Sequence, residues 1–322
     1  MPLPYIEKDL HFEGASGAPL AGTLTLPDAG HGVPGLLLIQ GSGPTDRDGN
    51  QPPQIVTDLL KDLARLLAEF GIASLRCDKR GMGAVAASLP TEPAALADFV
   101  RWEHFVEDAR LAFAQLAAQE GVDARRVGIL GHSEGGLIAL DLAAGGGARP
   151  AMLILAATTG RPIAAVLRDQ LARLGRRQGA PGAALDALLD ENDRILAGLA
   201  AGAGYPESVS PGLAELYPPY LRHYWEGFAA RDPAVLASRC ACPVLVLAGS
   251  ADVQVLADRD VPALAAALAR RNAAARHAVE VLADAGHTLK AVAGPADPGH
   301  GGALHPGVRP ALEGWLRENA WL

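Results

Sequence analysis

The stretch Val127-Gly128-Ile129-Leu130-Gly131-His132-Ser133-Glu134-Gly135-Gly136 decides how the rest of the chain is read. It opens on a short apolar run, and such runs fit strands buried on both faces of a parallel sheet. The run leads straight into Gly131-His132-Ser133-Glu134-Gly135, and residues 137–144 then have a helical pattern. A serine presented on a sharp strand-to-helix turn needs a strained backbone. Bulky residues two positions to either side would collide there, so Gly131 and Gly135 fit the turn. A chain with 37 glycines meets such short patterns by chance. The strand before and helix after make Ser133 the candidate nucleophile. The rival reading is a glycine-rich turn that only packs a helix on a strand.

Outward from this point, strands and helices alternate. Residues 20–26 alternate and end at Pro27, a strand signal. Residues 33–40 carry Leu36-Leu37-Leu38-Ile39 and run into Gly41-Ser42-Gly43-Pro44. Ile55, Leu59, Leu63, Leu66 and Phe70 recur at helical spacing, stopped by Gly71. Residues 72–77 read as a strand, and Phe105, Ala109, Phe113 and Leu116 mark a further helix. Residues 152–156, 244–248 and 278–282 read as three more apolar strands, and 310–322 as a closing helix. This predicts an α/β fold, a mostly parallel central sheet with helices on both faces.

The alternation breaks between Arg161 and Ala237, where only helices and turns are read. This predicts a core of residues 1–160 and 238–322 with a helical cap, 161–237, inserted in it. The rival is extra helices packed on the sheet edge. Tyr217, Tyr220, Tyr224 and Trp225 cluster in this stretch and are expected to line an acyl or alcohol pocket. The plainer alternative is that they form the core of the cap.

A serine hydroxyl is a poor nucleophile until a base takes its proton. His287 lies late in the chain, just after the 278–282 strand, and is the candidate base. His11 and His31 come too early, and His277 precedes its strand. His104 and His223 fall on helices, and His300 and His305 in a Gly/Pro-rich loop. His132, inside the turn, is expected to point elsewhere. The third member is a carboxylate that fixes the imidazole tautomer and steadies its charged form. Asp252 follows the 244–248 strand, in the order serine, aspartate, histidine. Its bland alternative is a helix cap. Asp258 and Asp260 look helical, and Asp284 shares the loop of His287. The oxyanion would be held by the backbone N–H of Glu134 and of Ser42, with Gly41 or Gly43 as alternatives one residue away.

These pieces resemble the α/β-hydrolase superfamily, and within it bacterial carboxylesterases. The resemblance rests on Gly41-Ser42-Gly43-Pro44-Thr45-Asp46-Arg47-Asp48-Gly49-Asn50, Asp78-Lys79-Arg80-Gly81-Met82-Gly83 and Gly131-His132-Ser133-Glu134-Gly135-Gly136. It rests further on Gly249-Ser250-Ala251-Asp252-Val253-Gln254-Val255 and Ala285-Gly286-His287-Thr288-Leu289-Lys290. It implies an α/β-hydrolase fold, a Ser–His–Asp triad and no metal or organic cofactor. One departure is that the oxyanion strand ends in Gln40-Gly41, where the family commonly has His-Gly.

The expected reaction is hydrolysis of small-molecule carboxylic esters through an acyl-enzyme on Ser133. Thioester hydrolysis and aminopeptidase-like amide hydrolysis are the alternatives; Glu207, Glu215 and Glu226 are candidates to hold a free amine in the latter. From another class, the chain would be a non-catalytic ligand-binding module on the same fold.

Composition narrows the partners. The net charge is −8, and no run of basic residues is longer than a pair, so nucleic acid is not expected. No apolar run approaches the ~18 residues of a membrane span. Residues 1–10 carry no apolar leader core, which suggests a cytoplasmic location. Cys77, Cys240 and Cys242 form no disulfide framework or metal set and are expected to be buried thiols. The run beginning at Asp46 resembles a calcium loop, but Gln51 and Thr57 stand where that loop needs Gly and Glu. Its side chains are expected to brace the oxyanion loop, with an Asp/Arg pairing for which Arg80 is a candidate. Gly81-Met82-Gly83 lacks the third glycine of a dinucleotide fingerprint and reads as a tight turn.

Overall fold

A computed structural model describes residues 4–28, 32–271, 275–294 and 297–322. The chain runs β1 (Tyr5–Glu13), β2 (Pro19–Pro27), β3 (Val33–Ile39), α1 (Leu59–Glu69), β4 (Ala73–Cys77), α2 (Pro93–Phe99), α3 (Trp102–Ala117), β5 (Val122–His132) and α4 (Glu134–Gly145). It continues through β6 (Leu153–Ala156), α5 (Ile163–Arg177), α6 (Gly182–Ala200), α7 (Arg222–Ala229), α8 (Pro233–Arg239), β7 (Val244–Gly249), α9 (Ala257–Ala269), β8 (His277–Leu282) and α10 (Val308–Glu318). The strands form one eight-stranded sheet in the order β1-β2-β4-β3-β5-β6-β7-β8. β2 pairs antiparallel with β1 and with β4; every other pairing is parallel.

The apolar runs become inner strands because both of their faces are covered. β3, β4, β6 and β7 are buried at every residue. Successive strand residues point to opposite faces. Leu37, Ile39, Ile129, Leu155 and Val246 therefore join one core layer, with Trp102, Leu137 and Leu264 of the helices. Leu36, Leu38, Leu130, Ile154 and Leu247 join the other, under α1 and α10.

Two expectations change, and one strand is new. The helix expected from Ile55 begins at Leu59, because Gln51 and Ile55 exchange backbone hydrogen bonds of 2.8 and 3.0 Å across a turn at Pro52-Pro53. β8, expected as an apolar strand, lies at the sheet edge, where Val279 and Val281 are exposed. β1, which the apolar pattern does not reveal, is the opposite edge. It is held by backbone pairing to β2, so it needs no hydrophobic run. Residues 161–237 hold α5, α6, α7 and the start of α8, which runs on to Arg239, and no strand. Among the described residues no helix is long and apolar enough to cross a membrane.

β3, β5, β7 and β8 run parallel, so their C-terminal ends share one rim of the sheet. Loops at such a rim form the usual crevice of open α/β sheets. The loops after these four strands carry Ser42, Ser133, Asp252 and His287 respectively.

Candidate active site

Ser133 sits between β5 and α4 with φ +55° and ψ −119°, a conformation that non-glycine residues rarely adopt. Packing enforces it. A Cβ on Gly131 would lie 2.3 Å from the Gly135 carbonyl oxygen, and one on Gly135 would lie 2.3 Å from that of Ile39. The turn is thus pressed onto the end of β3, which brings Gly41 against the serine. A Cβ on Gly41 would come within 3.4 Å of Ser133 Cβ.

Asp252 and His287 meet across 2.7 Å, Oδ2 to Nδ1, and both are buried. Oδ1 of the same carboxylate accepts the N–H groups of Gln254 (2.8 Å) and Val255 (3.0 Å). Asp252 therefore ties down its own turn and faces the imidazole at once; it does not cap the following helix, whose N-cap is Leu256. Ser133 and His287 line one cleft together with Gln40, Gly41, Ser42 and His132. Among the described residues no hydrogen bond joins Ser133 to His287. Catalytic contacts of this kind often tighten only with substrate present.

His132 does not point away from the site. Its Nε2 donates to the His287 carbonyl at 2.9 Å, and the two rings lie 4.8 Å apart. Burial, reinforced by the neighbouring imidazole of His287, lowers His132 to about 3, so it stays neutral. Sequence reasoning missed this role; no local pattern reveals a contact with a loop 155 residues away.

The loop 41–50 is braced largely by its own side chains, as expected. Asp46 Oδ1 accepts from Asp48 N and Asn50 N at 2.9 Å each. The Asp/Arg partner differs from the candidate named. Arg47 forks onto Asp78 and Arg76 reaches Asp48, whereas Arg80 is committed to Asp108 at 2.7 Å. Among the described residues neither the Ser42 nor the Glu134 backbone N–H is spent on an internal acceptor.

The structure does not bring the four aromatic candidates to the cleft. Tyr217, Tyr224 and Trp225 are buried with Trp102 and Phe228, and Tyr220 is exposed. Tyr217 donates to Asn192 and Trp225 to the Leu216 carbonyl. Tyr224 donates its hydroxyl to Glu134 Oε2. The cleft walls come instead from the segment 40–60 and from Gln254, Thr288 and His300. Burial raises the thiols of Cys77 and Cys240 to about 12, which makes them poor nucleophiles.

Residues 57–183 match the family model described as serine aminopeptidase, S33. The chain is 31% identical to esterase EstD of Thermotoga maritima over 254 residues, 79% of this chain and 54% of that protein. It thus spans about half the length of this curated relative. Among solved structures it resembles the Pyrococcus furiosus esterase Pf2001, with TM-score 0.59, 13% identity and coverage of 99% of this chain and 91% of the other. It also resembles Est1E from Butyrivibrio proteoclasticus, with TM-score 0.58, 16% identity and coverage of 97% and 98%. At these identities the structural likeness speaks for the fold. Sheet order and strand-end loops agree with these neighbours, and the chain has the α/β-hydrolase fold.

Proposed function

We propose that this protein is a serine esterase acting on small-molecule carboxylic esters. The observation that carries the reading is the 2.7 Å Asp252–His287 pair, whose imidazole lines the same cleft as a serine held at φ +55°. Ser133 attacks the ester carbonyl while His287 accepts its proton. Asp252 keeps Nδ1 protonated and steadies the imidazolium. The Ser42 and Glu134 N–H groups hold the oxyanion. The alcohol leaves with the proton from His287, and water activated by the same imidazole releases the acid. The relative EstD is itself named an esterase, in support.

The family description also raises an aminopeptidase-like amide hydrolase. A free α-amine needs a carboxylate beside the cleft, and among the described residues none that lines the cleft carries one. Glu226 pairs with His223, and Glu207 and Glu215 are exposed. The ester reading is therefore the better fit. We read residues 161–237 as an insertion that covers the acid loop: Gln170 of α5 donates to the Gln254 carbonyl at 2.9 Å.

The test is a panel of p-nitrophenyl esters, acyl-CoA thioesters and aminoacyl anilides, with fluorophosphonate labelling and Ser133→Ala as control. Esters are expected to turn over fastest, with label on Ser133 alone. A folded wild type that takes no label would refute the assignment.

A further inference from the structure

We propose that Lys79 is a positioning residue that aims the oxyanion-binding N–H of Ser42, held in place by Glu134 and Tyr224. The proposal rests on the esterase reading of Ser133.

The Gly41 carbonyl and the Ser42 N–H belong to one peptide unit. That unit is planar and trans, so its C=O and N–H point in opposite directions. Whatever grips the carbonyl therefore aims the N–H. Lys79 Nζ donates to the Gly41 carbonyl at 2.9 Å. Thr45 and Gln51 hold the Ser42 and Gly43 carbonyls, and the Gly41 carbonyl is left to Lys79. A cation on the carbonyl also polarises the peptide and strengthens its N–H as a donor.

The ammonium needs a counter-charge, since its side chain is only 9% exposed. Glu134 Oε1 supplies it at 2.9 Å. The other carboxylate oxygen accepts the Tyr224 hydroxyl. Burial, together with the Glu134 carboxylate, raises that phenol well above its ordinary value, so it remains a donor. Glu134 thus serves both halves of the oxyanion site. Its backbone N–H is one donor, and its side chain, through Lys79, orients the other. Tyr224 lies on α7, so the same chain of contacts ties the helical stretch 161–237 to the chemistry. A purely structural ion pair would have no need of the Gly41 carbonyl.

The experiment compares wild type, Lys79→Met and Tyr224→Phe on a short-chain p-nitrophenyl ester. The same proteins are titrated with a trifluoromethyl ketone. Ser133 Oγ adds to its carbonyl carbon, the proton passes to His287, and the adduct carries a full oxyanion. Lys79→Met is expected to lower kcat about 10- to 100-fold. KM should hold within about twofold, the pattern of an interaction made only in the transition state. The inhibition constant for the ketone should rise by the same factor as kcat/KM falls. Tyr224→Phe removes one hydroxyl and is expected to move both quantities the same way, by about 3- to 10-fold.

A wild type with no ester turnover and no fluorophosphonate label would overturn the esterase reading itself. An active wild type, with both variants unchanged or with kcat lowered at unaltered ketone affinity, would overturn the role of Lys79. If Lys79→Met does not fold, Tyr224→Phe decides alone by the same two readouts.

Discussion

His132 donates its Nε2 hydrogen to the backbone carbonyl of His287 across 2.9 Å. A carbonyl only accepts, so the proton is assigned to Nε2. The residue before the candidate nucleophile thereby braces the loop of the candidate base. His132→Phe keeps an aromatic ring and leaves a buried carbonyl without its donor. Thermal and urea unfolding should show a loss of about 1–3 kcal/mol. Ester kinetics should show a several-fold lower kcat. Unaltered stability and kcat together would mean that the contact contributes nothing.

The same imidazole predicts a pH dependence. Folded, His132 titrates near 3, lowered by burial; unfolded, near its ordinary 6.5. Between these values the unfolded chain holds the extra proton, so stability falls as pH falls from 6.5 toward 3. Above that window His132 adds no slope. The limiting slope is about 1.4 kcal/mol per pH unit. Urea midpoints of wild type should therefore drop more steeply between pH 6 and 4 than those of His132→Phe. Parallel curves would contradict the assignment.

Asp252→Asn separates chemistry from folding. The Asn side-chain oxygen can still accept from Gln254 and Val255, so the turn is retained. The amide no longer steadies an imidazolium and favours the wrong tautomer. A fall in kcat of about 10³- to 10⁴-fold is expected, with the melting temperature changed by only a few degrees. A variant within tenfold of wild type would remove Asp252 from the mechanism.

Two glycines on one helix should respond in opposite ways. Gly135→Ala drives a methyl to 2.3 Å from the Ile39 carbonyl oxygen. We expect a loss above ~3 kcal/mol or no soluble protein. Gly145, at the exposed end of α4, has nothing within 4 Å of an added Cβ. Gly145→Ala should be neutral or stabilising by up to ~1 kcal/mol. Equal melting temperatures for both variants would show that the Ser133 turn is not pressed onto the end of β3.

Trp225 is buried between Tyr217 and Phe228, away from the cleft. Trp225→Ala should cost about 3–5 kcal/mol in stability. The order of preference among esters of different chain length should persist. A reordered preference with little loss of stability would place the indole at the substrate after all.

By itself the sequence determined the α/β class, the inner strands and which residues would stand at strand ends. Leu36 to Ile39, Val127 to Leu130 and Val244 to Ala248 are apolar throughout because helices cover both faces of the sheet. The spacing Gly131-x-Ser133-x-Gly135 is local and legible, because the clash it avoids lies within one turn of chain and the strand beside it. The edge strand β1 was not legible, since backbone pairing to β2 holds it without an apolar pattern.

The tertiary structure alone decided what surrounds those residues. It put Lys79 on the Gly41 carbonyl, His132 on the His287 carbonyl and Tyr224 on Glu134, contacts spanning 38, 155 and 90 positions. It also buried Tyr217, Tyr224 and Trp225 in a core, where sequence clustering had suggested a pocket. The physical reason is the same in each case. Side-chain periodicity reports which face of an element is apolar, and local spacing reports turn sterics. Neither encodes which distant carbonyl or carboxylate will lie within hydrogen-bond reach once the sheet has closed its strand ends onto one rim.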